Sequence, residues 1–161
     1  MSGTASTNRL ERLFEIRDKQ RKVKEQGQII VRGKELPLEK NRQGLQKWYM
    51  HPDMEENCLN SLLVFVQEIP PGGRTGKQKS QGGQIGVVWG GRGYTLVDGV
   101  RHDWETHDVL NFPVRTAGIV LQHVNTDMKE SARIIFCEPN VIDSLGVDRG
   151  CGFEQVEDAP E

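Results

Sequence analysis

Residues 72–91 read GGRTGKQKSQGGQIGVVWGG, and their spacing decides how the rest of the chain is read. Gln78, Ser80 and Gln84 share one parity, so an extended chain directs all three side chains to one face. That face has the rhythm of a metal-binding strand but not its residue types. A non-haem Fe(II) ion or a relative wants imidazole nitrogens and a carboxylate, commonly two His and one acid. Amide oxygens and an un-ionised hydroxyl are weak donors. A divalent ion here would lose hydration and gain no anionic ligand, so no tight metal site is expected.

Working outward, residues 59–140 are a series of short apolar runs divided by Gly, Pro, Asp and Asn. LNSLLVFVQEIP, GQIGVVW, GYTLVDG, DVLNFP, GIVLQHVN and SARIIFCEP all have this texture, and Asp98-Gly99 is a hairpin signal. Nothing after residue 60 sustains a helical period. The pattern predicts an all-β sandwich or barrel.

Upstream, residues 8–26 suit a helix with Thr7 or Asn8 as N-cap. Leu10, Leu13, Phe14 and Ile16 form a short apolar stripe, while the second half offers only Val23. Such a helix is marginal alone and needs a surface to lie against, either its own domain or another chain. Residues 27–58 are expected to be a transition, with a short strand at IIV, a break at Pro37 and an aromatic connector, LQKWYMHPDM. The chain is therefore divided into an extension (1–58), a β domain (59–140) and an acidic tail (141–161) ending in a flexible run, EQVEDAPE.

The near-neutral net charge of −2 hides an asymmetry: residues 1–50 hold 12 Lys/Arg against 6 Asp/Glu, and the remainder 9 against 17. The basic residues are mixed with glutamates and not interleaved with aromatics, which suits a solvated helix face or a docking surface and not a nucleic-acid site. No apolar run approaches a membrane span, and the first residues lack a secretory apolar core, so a cytoplasmic protein is expected. Cys58, Cys137 and Cys151 are widely separated, giving no disulfide framework or zinc site; Cys137 is expected to be a buried thiol. P-loop, nucleophile-elbow and dinucleotide fingerprints are absent.

The 72–91 stretch resembles the first motif of the cupin family: a Gly, five residues, His-x-His, three or four residues, Glu, six residues, Gly. Gly72, Gln78, Ser80, Gln84 and Gly91 keep every interval, and all three ligand positions are substituted. Residues 108–127, DVLNFPVRTAGIVLQHVNTD, resemble the second motif. Pro113 and Asn125 match, with about three extra residues between them, and counting back from Asn125 puts the fourth ligand position on Leu121. The resemblance implies a small jelly-roll barrel over about residues 60–140. His123 shares parity with Leu121 and Asn125. It is expected to be a hydrogen-bonded core residue, with ligation or contact to a small molecule as alternatives. His51, His102 and His107 are expected to be structural or surface groups.

The whole chain is also similar to the small (alpha) subunit of two-component hydroquinone 1,2-dioxygenases. The likeness rests on length, the basic extension, the QKWYMHP connector and the substituted metal motif. It implies an alpha2beta2 heterotetramer in which a larger cupin subunit carries Fe(II) and opens hydroquinone to 4-hydroxymuconic semialdehyde. The present chain would hold no cofactor and support its partner, with Leu10, Leu13, Phe14, Trp48 and Tyr49 as interface candidates. Two other readings stay open. One is a stand-alone metal-free cupin that binds or isomerises a small molecule through Gln78, Ser80, Gln84 and His123. The other is a structural or regulatory module.

Overall fold

The structure, a computed structural model, describes residues 8–54, 56–57, 59, 61–140 and 153–160. It opens with α1 (Arg9–Glu25), capped by Asn8, whose side chain accepts from the Leu10 and Glu11 amides. The cap satisfies two of the orphan N–H groups of the first turn. No residue of α1 is buried, and Leu10, Leu13 and Ile16 stand 56%, 62% and 44% exposed. Its C-terminal end is tethered, with Lys24 Nζ donating to Asn57 O at 2.9 Å. Among the described residues no helix is long and apolar enough to cross a membrane.

The rest is β structure in two antiparallel sheets. After β1 (Glu39–Asn41) and β2 (Gly44–Met50) come β3 (Leu62–Ile69), β4 (Lys77–Ser80), β5 (Ile85–Gly90) and β6 (Arg92–Val97). Then follow β7 (Val100–Glu105), β8 (Val109–Asn111), β9 (Ile119–Asn125), β10 (Ala132–Pro139) and β11 (Phe153–Glu157). One sheet has the order β1-β2-β3-β10-β5-β8 and the other β11-β4-β9-β6-β7. Strand pairing runs within each sheet and none joins the two among the described residues, so the expected barrel is observed as an open two-sheet sandwich.

The inward faces follow the period-2 rule. Phe65 and Ile69 from β3 and Ala132, Ile134 and Phe136 from β10 meet Ile119 and Leu121 from β9, with Val88, Trp104 and Phe112 completing the core. At roughly 25 cal/mol per Å² of apolar surface, a fully buried Phe or Ile contributes about 1.5–3 kcal/mol, which makes this seam between the sheets the main stabilising element. The Asp98-Gly99 hairpin is observed. Both residues have positive φ, 52° and 84°, as a two-residue turn between β6 and β7 requires. Asp98 also accepts from Val120 N at 2.8 Å and pairs with Arg115 at 2.7 Å, so one residue sets the turn and ties it to β9. Gly91 has φ +95°, and a Cβ there would meet the Ala132 Cα at 2.7 Å, so that motif glycine is needed for close approach to β10.

Several expectations are corrected. The IIV run forms no strand, and Ile29 is 93% exposed. The aromatic connector is strand β2, paired along β3 from Leu45↔Glu68 to Met50↔Val64, so the sheet begins well upstream of residue 59. The tail is not all flexible, because β11 pairs with β4 from Phe153↔Ser80 to Glu157↔Lys77. Cys137 is a free, half-buried thiol on the outward parity of β10. Cys58, Cys151 and the tail segment 141–152 lie outside the described residues.

Candidate functional site

The metal-motif positions occupy the five-stranded sheet. Gln78 and Leu121 are direct cross-strand partners, and Ser80 faces Ile119 two pairs along. Cβ atoms of such pairs lie about 4.5–5.5 Å apart, so the Gln78 and Leu121 side chains are near neighbours. Neither behaves as a ligand. Leu121 is 6% exposed and packs in the core. Ser80 Oγ accepts from Gly82 N at 3.1 Å, which commits it to the local turn. Gly82 and Gly83, with φ of 86° and 78°, bend the chain between β4 and β5. The single-face argument therefore fails beyond Ser80, and Gln84 stands at the entrance to β5, its carbonyl accepting from Phe112 N. A divalent iron does not fit this set of one amide, one committed hydroxyl and one alkyl group. Among the described residues no cluster of three His, Cys, Asp or Glu side chains could hold a metal.

His123 is two residues beyond Leu121 on the same face and is 7% exposed. Trp104 Nε1 donates to Thr95 Oγ1 at 3.0 Å, and Thr95 Oγ1 lies 2.8 Å from His123 Nδ1. Indole N–H can only donate, so the Thr95 hydroxyl accepts from Trp104, and the same oxygen shares a second hydrogen bond with Nδ1 whose direction follows the imidazole tautomer. Burial pushes the imidazole down from 6.5 to about 4, which keeps it neutral at physiological pH. The backbone N–H of His123 is held by Thr75 Oγ1 at 3.0 Å. His123 is thus a hydrogen-bonded core residue. Its ring joins a row of aromatics, with centroids 5.9 Å to Phe112 and 5.0 Å to Phe136; the row continues through Phe65 (5.4 Å) to Trp48 (4.7 Å). His102 and His107 are exposed, and His51 packs edge-on against Trp48 at 5.1 Å.

The row of rings ends at a cavity of about 420 Å³ where the β2 side of one sheet meets the β11 side of the other. Trp48, Phe65, Gln78, Gln155 and Glu138 are among its walls; of the expected pocket residues, only Gln78 lines it among the described residues. Ser80, Gln84 and His123 do not join Gln78 there. Sequence reasoning gave Glu138 no role in a site. The available signal was parity: in RIIFCEP, Glu138 follows Ile134 and Phe136 on the inward face of β10. Burial pushes its carboxyl up from 4.5 to about 7.

The interface candidates separate. Leu10, Leu13 and Phe14 are exposed on α1, with Arg17 stacked 4.9 Å from the Phe14 ring centroid. Trp48 turns inward and packs against Phe65, with ring centroids 4.7 Å apart. Tyr49 turns outward, lining a groove of about 550 Å³ with Val64, Val66, Ile135 and the exposed Trp89.

No protein-family model matches the chain, and no curated protein matches it. Solved structures do. A cupin-like protein from Thermotoga maritima is similar over 81% of this chain and 90% of its own, at 21% identity and a TM-score of 0.55. A Klebsiella pneumoniae protein with a double-stranded beta-helix domain is similar over 83% and 99%, at 14% identity and a TM-score of 0.56. A polyketide cyclase from Streptomyces resistomycificus is similar over 70% and 79%, at 14% identity and a TM-score of 0.57. At such identities the likeness speaks to architecture alone, and with the sheet order and inward faces described above it establishes that this chain has the cupin jelly-roll fold.

Proposed function

We propose that this chain is the metal-free cupin subunit of a heteromeric Fe(II)-dependent ring-cleaving dioxygenase acting on hydroquinone. Its larger cupin partner carries the iron, and the two form an alpha2beta2 assembly in the cytoplasm. The observation that carries this reading is the combination of a cupin scaffold with Gln78, Ser80 and Leu121 at ligand positions and an apolar stripe on α1 that the chain's own sheets leave uncovered. The exposed Leu10, Leu13 and Phe14 on α1 and, separately, Tyr49 and Trp89 on the outer sheet face are apolar anchors of the kind an obligate interface uses, which typically buries about 2,000 Å² or more. In this role the chain orders its partner and excludes water from the partner's site.

Co-expression with the larger cupin tests the reading. A stable complex should form, bind iron through the larger subunit and cleave hydroquinone only when both chains are present. Full activity of the larger chain alone would refute it, as would iron binding and cleavage by this chain alone. A second reading, a small-molecule binder that uses no metal, is favoured by the cavity beside Glu138.

A further inference from the structure

Glu138 is explained neither by strand pairing nor by the metal motif. It stands opposite Leu63 on the inward parity of β10. No hydrogen bond or ion pair reaches its carboxyl among the described residues, and no enclosed side-chain polar atom there lacks a partner. The carboxyl oxygens therefore open into the cavity they line and are not sealed in protein. Gln78, on the facing sheet, is likewise without a side-chain hydrogen bond among the described residues. The other amides are already engaged: Gln43 Nε2 donates to Gln155 Oε1 at 2.6 Å, and Gln46 is bonded to Asn41 and Gln67. Two open polar groups thus face one aromatic wall, Trp48 against Phe65, in a space of about 420 Å³. A mostly apolar cleft of that size with a few convergent polar groups is the usual form of a small-ligand site.

We propose that this cavity binds one neutral hydroxylated ring, phenolic or pyranose, with its hydroxyl on Glu138, a second polar contact to Gln78 and its face along Trp48 and Phe65. Of the emptied metal positions the site includes Gln78 alone among the described residues, and it does not rest on the subunit reading. Near neutrality the carboxyl lies between its two protonation states, able to donate to a ring oxygen or accept from a hydroxyl. Strands β2, β3, β4 and β11 present only amide, aromatic and aliphatic groups to it. Arg42, on the β1–β2 turn, is the other ionisable group in the lining and is exposed. An anion would be repelled by the Glu138 carboxylate, and a cation would give up its water for a single carboxyl that is partly protonated near neutrality, so the neutral ring is the class proposed.

Isothermal titration of the full chain with phenol, catechol and methyl glucoside tests this. At least one should bind saturably at one site, and Glu138→Gln and Gln78→Leu should each weaken that binding about tenfold or more. Glu138→Gln keeps the side-chain shape, and Gln78→Leu supplies an independent arm if the first variant does not fold. Binding of the phenols alone identifies a phenolic source, and binding of the glucoside alone a sugar. The proposal is overturned if none of the three binds, if neither variant changes the affinity, or if the cationic ring benzylamine binds more tightly than the neutral rings.

Discussion

Burial holds His123 down at about 4 and pushes Glu138 up to about 7, and the two shifts act on stability in opposite senses. Between about 6.5 and 4 the unfolded chain binds a proton at His123 that the folded chain refuses, so acidification destabilises. Between about 7 and 4.5 the folded chain holds a proton on Glu138 that the unfolded chain releases, so acidification stabilises. Glu138→Gln should therefore expose the His123 slope. Urea unfolding from pH 8 to pH 4.5 should show the variant more stable than wild type at pH 8, by at most about 3 kcal/mol, with the gain vanishing on acidification. Parallel profiles would show that the carboxyl is solvated. Thr95→Val is a second residue-level prediction. It strands Trp104 Nε1 and His123 Nδ1 together, and losing both buried partners should cost about 2–4 kcal/mol in the same assay. Asn125 shows how a motif residue can serve structure: its amide donates to the carbonyls of Ile69, Pro70 and Glu130.

At the scale of elements, α1 contributes little to the sandwich because it buries nothing. Removing residues 1–22 keeps the Lys24–Asn57 tether and should shift Tm by no more than about 2 °C, read by differential scanning calorimetry. A larger fall would mean that the helix packs on its own domain. The helix and its cap were legible because capping and i, i+3, i+4 spacing are local signals. So were β3, β5, β6, β9 and β10, which are short apolar runs set between turn residues. Strand β2 was not legible because its inward face pairs Trp48 with a polar residue, Gln46. It is buried by donating to Gln67 Oε1 at 3.0 Å, a partnership made across strands and invisible along the chain. Strand β11 was hidden by charge. Its acidic sequence reads as solvated until Glu157 meets Lys77 at 2.7 Å and Arg74 at 3.0 Å, both distant in sequence.

At the scale of the molecule, the interval pattern from Gly72 to Gly91 was enough to read the fold class, because glycines at tight turns and apolar strands between them follow from backbone sterics. The candidate site was only half legible. The register pairs Gln78 with Leu121, whereas the cavity around Glu138 draws on six strands and both sheets and leaves no contiguous signature. The central claim is that this scaffold has lost the chemistry to grip a metal. Anaerobic titration with Co(II), followed by dialysis and metal analysis, tests it most directly. It should be run on wild type and on the combined Gln78→His, Ser80→His, Gln84→Glu, Leu121→His variant. Wild type should retain no stoichiometric metal and the variant about one ion per chain, since imidazoles and a carboxylate restore the donors. Wild type holding one ion per chain, and losing it on Gln78→Leu, would contradict the account.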